Sequence, residues 1–559
     1  MRSRTLLCQR EPIIVKVFLL LHRWIKTNSV MLTNAASLVA TTGVTSVLGF
    51  AYWWVAARRF PPEAIGIASA SISAMMLLGS LCALGLGTLL ITELPRQPGQ
   101  EASLISTALI IVGAVGGGVG VLFALVAPYA SVQFQPLRAS VLDIVIFAIG
   151  VSQTAITLVL DQALIGLLRG GVQLWRNTLF AIAKLAGLFV VGLWLSREEG
   201  VAIYATWAIG GVLSLVVLAI PTVFKKSGPR RNYLPQWGLL KKLGLPALQH
   251  HLLNLALQAP TLTLPVLVTA LLSATMNAWF YVSWMMVNFV FLIPSALTTV
   301  LHAMNSAQPS TLAQKARSTI SIALMTSVVA NCLLLFDTKQ VLGLFGNNYA
   351  EQAAWSMRIL VLAAFPLIIK THYISICRIQ DRIAQAMVSM VPGGLLELGA
   401  AVVGAHFGGL SGLSLGWTAA IYIESLFMVR TVYKAVWSVE IVSESTELDY
   451  AEAEAIWLLE TSTMSAIGQG YMGVEAAWLI ETSTLPAIRK VHKEADEHKK
   501  DLLAGGTNGH HGSGRLRLKP PQLQRYTSYH SSMPTTDPHV MPRMPDRKQD
   551  ESTFVEVER

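Results

Sequence analysis

The sequence predicts an all-α, polytopic membrane protein with about twelve transmembrane helices, and three observations carry that reading. Of its 559 residues, 53% are hydrophobic and only 13% charged, with a mean hydropathy of +0.53; ordinary soluble domains carry about 25% charged residues. Twelve apolar runs follow one another from residue 30 to residue 430, each near the roughly 20 residues that cross a hydrocarbon core. Between the sixth and seventh runs, Lys225, Lys226, Arg230, Arg231, Lys241 and Lys242 fall in one short loop without an acid. Short loops rich in Lys and Arg stay on the cytoplasmic side, so this loop orients the helices before and after it.

The charge is split along the chain. Residues 1–437 hold 29 Lys and Arg against 13 Asp and Glu, whereas residues 438–559 hold 13 against 19. The basic part is therefore the membrane part. Loop topology and anionic lipid explain its charge, and nucleic acid is not needed as a partner.

Residues 1–29 place Ile14, Val17, Phe18, Leu21, Trp24 and Ile25 at helical spacing with Lys16, Arg23 and Lys26 off that stripe. This reads as a basic interfacial helix, not as a secretory signal, because Lys16 interrupts the apolar region. The rival reading starts the protein at Met31. The apolar runs lie at 30–56, 65–91, 102–127, 140–168, 177–195, 201–223, 245–271, 276–300, 318–336, 355–376, 383–404 and 410–430. With the N-terminus inside, the inner loops collect most of the Lys and Arg, and the outer loops keep Arg58, Arg59, Arg138, Arg197 and Lys339. That bias predicts both termini on the cytoplasmic side. Glycines such as those of 113–120 and 404–416 fit close helix packing. Pro260 and Pro265 mark the seventh run as a bent helix beside a cavity.

After residue 435 the character changes. Residues 436–500 are acidic and hold a repeat at an offset of 21 residues, in which Trp457 and Trp478 occupy equivalent places. Each unit fits a short amphipathic helix on a partner or a membrane surface. Residues 501–559 are rich in Gly, His, Pro and Ser and read as disordered.

No phosphate-cradling loop, nucleophile elbow, H-E-x-x-H or paired cysteine motif occurs. The four cysteines have no ligand spacing, so neither a metal nor a cofactor is expected, and a transporter is preferred to an enzyme. Ionisable residues inside the runs weigh most, because charge is costly in hydrocarbon and tends to face a cavity. Lys184 lies about two turns into the fifth run, with snorkelling to the interface as its plain alternative. Glu397 lies deeper and Glu424 about a turn and a half from the end of the last run; both are the ion-coupling candidates, against a local hydrogen bond or an interfacial position. Asp143, Asp161, Arg358 and Lys370 count as near run ends and are expected at the interface.

The first hairpin resembles a known family. Asn34-Ala-Ala-Ser-Leu38, Gly43, Ala57-Arg-Arg-Phe-Pro-Pro-Glu-Ala-Ile-Gly66, Leu84-Gly-Leu-Gly87 and Leu94-Pro-Arg96 resemble the start of the O-antigen and exopolysaccharide flippases of the multidrug/oligosaccharidyl-lipid/polysaccharide (MOP) superfamily. The likeness extends over about 30–435. It implies an N-terminal six-helix bundle at 30–223, a cytoplasmic loop at 224–244 and a C-terminal six-helix bundle at 245–435. It further implies alternating access, ion-gradient coupling and a polyprenyl-diphosphate-linked oligosaccharide as substrate in a bacterial cytoplasmic membrane, beside a polysaccharide polymerase or glycosyltransferase. Lys184, Arg58 and Arg59 are then the cavity candidates that would compensate the diphosphate. The alternatives are a multidrug and toxic-compound extrusion (MATE) exporter, for which the acids in 30–56 that many such exporters carry are missing, and a non-transporting scaffold acting through the acidic tail.

Overall fold

The computed structural model describes residues 29–194, 200–224, 245–307 and 312–437, with Pro235 and Gly238 between the second and third stretches. The N-terminal basic segment, most of the hinge loop, the tail repeat and the Gly- and His-rich terminus lie outside the described residues. All regular structure among the described residues is helical. Before the loop come α1 (Ser29–Arg59), α2 (Pro62–Cys82), α3 (Leu86–Glu93), α4 (Glu101–Ala130), α5 (Val141–Gly166), α6 (Gly170–Trp194) and α7 (Gly200–Phe224). After it come α8 (Leu245–Leu271), α9 (Ala274–Ala307), α10 (Leu312–Phe336), α11 (Thr338–Gly343), α12 (Asn347–Gln352), α13 (Ala354–Val361), α14 (Ala364–Ile379) and α15 (Ile383–Trp437).

Local chemistry sets the breaks. Pro61 keeps an extended backbone and Pro62 opens α2 at a position that needs no N–H donor, which turns the chain after α1. Ser140 caps α5, its Oγ accepting from the Asp143 N–H at 3.2 Å and bonding the Asp143 carboxylate at 2.7 Å. Asp143 thus sits half-buried at a helix start, as its place near a run end predicted.

By length and hydropathy, nine described helices are able to cross a membrane, or ten when α13 and α14, bent by 41° across a short break, are one span. Twelve were expected. The run at 30–56 forms α1, 31 residues long, and the last two runs form the single α15, whose 55 residues lose helical geometry at Gly408 and Gly409. There α15 folds back on itself. A Cβ on Gly416 would lie 2.1 Å from the Ala400 carbonyl oxygen, and one on Gly404 would lie 2.0 Å from that of Gly412, so two arms touch backbone to backbone.

Position in the bundle follows burial. α2 is 78% buried over its apolar window, whereas α4 and α10 are 22% buried and turn apolar side chains to lipid. The central α2 packs on α8 and α9, joining the part before the loop to the part after it. Asn277 Nδ2 donates to the Gly66 carbonyl at 2.8 Å and to Ser69 Oγ at 2.9 Å across that seam. At the end of α1 the seam continues with Trp53 against Tyr281 at 4.6 Å and Phe50 against Phe345 at 5.6 Å between ring centroids.

Candidate functional site

Two buried charged centres among the described residues carry candidate site residues, one on each side of the seam. Lys184 lies on α6, only 5% exposed. Its ammonium is 3.8 Å from the ring centroid of Trp207 on α7, 4.8 Å from that of Phe180 and 5.4 Å from that of Tyr52 on α1. Aromatic faces are negative and attract a desolvated cation. The Tyr52 hydroxyl is fixed by the Ile203 carbonyl at 3.0 Å and Thr206 Oγ1 at 2.9 Å, which anchors that ring beside the ammonium. Among the described residues Lys184 has no carboxylate at ion-pair distance, and it does not snorkel.

The other cavity candidates are elsewhere. Arg58 is exposed at the end of α1, six residues beyond Tyr52 or about 9 Å at 1.5 Å per residue. Its Nε donates to the Leu344 carbonyl at 2.9 Å and an Nη to the Gly343 carbonyl at 3.5 Å, while Trp54 Nε1 donates to the same Leu344 oxygen at 2.9 Å. Arg58 is a tether between α1 and the end of α11. Arg59 is exposed beside it.

The second centre brings Glu397 and Glu424 together, from opposite arms of α15, and adds a residue that sequence reasoning put at the interface. Lys370 is 8% exposed in the middle of α14. Its ammonium bonds Glu397 Oε1 and lies 2.8 Å from Glu424 Oε2. Trp417 Nε1 donates to Glu397 Oε2 at 2.7 Å, so both oxygens of Glu397 are engaged. Neither oxygen of Glu424 accepts a hydrogen bond among the described residues. The glycine at 393 makes room for that carboxylate: a Cβ there would lie 2.6 Å from its carbon.

A cavity of about 190 Å³ adjoins this cluster, walled by α8, α9, α14 and α15 and including Lys370, Arg378, Glu397, Trp417, Asn288 and Thr298. Arg378 is 4% exposed and donates to Asn254 Oδ1 at 2.9 Å. Eight residues separate Lys370 from Arg378, so their backbones stand roughly 12 Å apart along one wall. Leu257 and Thr261 of α8 flank Pro260 and face the cavity, which is where the proline pair was expected to matter. The volume is below the roughly 300–1,000 Å³ of pockets for drug-sized ligands and suits a headgroup.

The remaining charges are structural. Asp161, half-buried near the end of α5, pairs with buried Arg176 through oxygens 2.7 and 2.9 Å from one Nη. Arg358 keeps its place near a span end, on Thr338 Oγ1 at 3.3 Å.

Comparison with known proteins gives three findings. Residues 31–280 match the family described as polysaccharide biosynthesis protein. No curated protein matches the sequence. Among solved structures, the chain is similar to an inward-facing MATE family multidrug resistance transporter of the MOP superfamily, at 14% identity and a TM-score of 0.54, over 72% of this chain and 96% of that one. It is also similar to an outward-facing form of such a transporter, at 15% identity and TM-score 0.49, over 72% and 96%. A third likeness is to a MOP superfamily transporter from Pyrococcus furiosus described with a binding pocket of reversed polarity, at 15% identity and TM-score 0.48, over 71% and 95%. At these identities the likeness shows the fold, and the first structure carries it.

Proposed function

We propose that this chain, a multi-pass membrane transporter with the MOP superfamily fold whose residues 31–280 match the polysaccharide biosynthesis family, flips a polyprenyl-diphosphate-linked oligosaccharide across the cytoplasmic membrane. Family and fold point to a transporter rather than an enzyme. The observation that carries the substrate is Lys184, a cation buried among aromatic faces with no acid at ion-pair distance among the described residues. Unpaired charge at membrane depth is costly and is kept for function, and a diphosphate supplies the missing anion. With the N-terminus cytoplasmic, the Arg58 and Trp54 tether to residues 343 and 344 lies on the outer face. The chain is then closed outward, and loading takes place from the leaflet where the precursor is made. Rocking of 30–223 against 245–435 opens the other side, with Glu397 and Glu424 as the ion-coupling residues.

The test is transfer of a fluorescent undecaprenyl-diphosphate oligosaccharide in proteoliposomes, with and without an imposed proton or sodium gradient. Gradient-dependent movement to the far leaflet is expected; no movement in either condition refutes the reading. One observation favours a MATE-type exporter instead: Glu397 and Glu424 outnumber Lys370, which suits a cationic cargo. Efflux of a cationic dye without lipid transfer decides for it. The scaffold reading rests on the tail, outside the described residues. Deleting 438–559 abolishes function under that reading and largely spares a flippase, and co-purification tests a polymerase or glycosyltransferase partner.

A further inference from the structure

The cluster around Lys370 does not balance. Two carboxylates face one ammonium, which leaves one negative charge uncompensated at a depth where each desolvated charge costs several kcal/mol or more. The two acids are not equivalent. Glu397 has both oxygens engaged, by Lys370 and by the Trp417 indole. Glu424 is 4% exposed, lies beside Glu397, and has the ammonium, 2.8 Å from Oε2, as its one cationic partner among the described residues, with no well-aligned hydrogen bond to either oxygen. If Lys370 turned away, Glu397 would keep its indole donor and Glu424 would keep nothing.

Lys370 also lines the cavity, on the same wall as Arg378 and beside the Thr371 and Ser375 hydroxyls. An anionic phosphate group placed there finds the Lys370 ammonium within the cavity wall and Arg378 further along the same wall. We propose that Lys370 is an exchangeable cation. It is held by Glu397 and Glu424 while the cavity is empty, and turns to an anionic phosphate headgroup when one enters, as Glu424 takes up one proton from the water that admits the headgroup. This rests on the flippase reading and names the proton as its partner. In the step, the ammonium keeps its three protons, the Lys370–Glu424 ion pair is replaced by an ammonium–phosphate pair, and an O–H bond forms on Glu424. The diester headgroup carries two negative charges, so it crosses with one of them offset. The net negative charge moves outward, the direction an inside-negative potential favours.

No other group near Glu424 serves. Of the ionisable side chains on the elements packed around it, Arg378 is engaged by Asn254. His372 points away on α14, to the Ile368 carbonyl at 2.7 Å and Thr319 Oγ1 at 3.1 Å. Tyr373 bonds Ser389 Oγ at 2.9 Å. Arg317, near Lys315 at the start of α10, donates to the Val436 carbonyl at 2.8 Å, and Arg358 on α13 is on Thr338. His250 and His251 lie near the start of α8, about one and a half to three turns before Ala256 and Pro260, which reach Gly394 beside the acid's glycine seat, and none of these groups forms an ion pair with Glu424 among the described residues.

The experiment titrates geranyl diphosphate, a short probe with the same headgroup chemistry, into the purified full-length protein in weakly buffered detergent with a pH indicator. The wild type is expected to take up about one proton per probe bound, and its affinity to fall by up to about tenfold per pH unit, the limit for one linked proton. Glu424→Gln should bind at least as tightly, without proton uptake and without pH dependence. Lys370→Met leaves two acids facing each other and tests folding as much as binding. The pair Lys370→Met with Glu424→Gln keeps the original net charge and should lose affinity tenfold or more. Wild-type binding without proton uptake, uptake that persists in Glu424→Gln, or undiminished binding in the double variant overturns the inference and leaves the flippase reading standing. No binding of the probe at any pH, beside binding of a cationic dye, overturns both.

Discussion

Replacing Gly416 by alanine should break the hairpin of α15 and the cluster with it. The added Cβ would sit 2.1 Å from the Ala400 carbonyl oxygen, against 3.4 Å for ordinary contact, so the arms must part by about 1.3 Å, the difference of the two distances. Both neighbours are backbone and cannot swing aside. The next residue, Trp417, donates to Glu397 on the opposite arm at 2.7 Å; the same displacement takes that bond to about 4 Å, out of hydrogen-bond range. Overpacking costs about 1–3 kcal/mol and a hydrogen bond to a charged group about 1.5–3 kcal/mol, for a loss of about 3–6 kcal/mol. Gly399, on the same helix with nothing within 4 Å of its Cβ position, is the matched control. Its alanine variant should be neutral or gain about 0.5–1 kcal/mol from helix propensity. The assay is the apparent melting temperature of the full chain in detergent, with proteoliposome transfer as the functional readout. Equal melting of the two variants would refute the close-packed hairpin and the argument that ties Trp417 to it.

Lys184→Met removes a desolvated cation at nearly constant length, so stability should hold or rise by up to about 1–4 kcal/mol while lipid transfer falls at least about tenfold; an unchanged rate at normal expression takes Lys184 out of the substrate path. Asn277→Ala loses the bonds to Gly66 and Ser69 in a fully buried seam and should cost about 1–3 kcal/mol in denaturant unfolding. A midpoint equal to that of the wild type would show that the seam does not depend on them. Arg58→Ala removes an exposed tether, so melting should change by less than about 1.5 kcal/mol. Maleimide labelling of a Gly343→Cys background from outside should nonetheless rise several-fold, and constant labelling would rule out the tether as what holds that face shut.

The helices were legible in the sequence because hydrocarbon imposes one length scale and one polarity rule on every span. The hairpin of α15 was legible as two runs around Gly408 and Gly409. Glu397 and Glu424 stood out for the same reason: a carboxylate inside an apolar run has little water to reach. Lys370 was missed because depth was counted along a straight run, 355–376, in which it stands near the inner end. The chain does not cross straight there. It bends by 41° between α13 and α14, and α14 begins only at Ala364, which sets Lys370 in the middle of a helix that runs on to Ile379. Its partners are 27 and 54 positions away, with no helical period to join them.

One sequence signal did point to Lys370. Across the last three apolar runs, the only ionisable groups of opposite sign well inside their helices are Lys370, Glu397 and Glu424, and in lipid such groups must find one another or a cavity. Pairing by sign, not depth by count, would have joined them. The same reasoning separates the two buried lysines: no acid stands within ion-pair reach of Lys184 among the described residues, whereas Lys370 has more acid than it can neutralise. On the proposed reading an anion would bind Lys184 without displacing a carboxylate and would bind Lys370 by displacing one. Only the second event needs a proton, so if proton dependence and substrate affinity reside in different halves, Lys184→Met should weaken binding equally at every pH while Glu424→Gln flattens its pH profile. A Lys184→Met variant that also lost the pH dependence would show that both lysines report on one site.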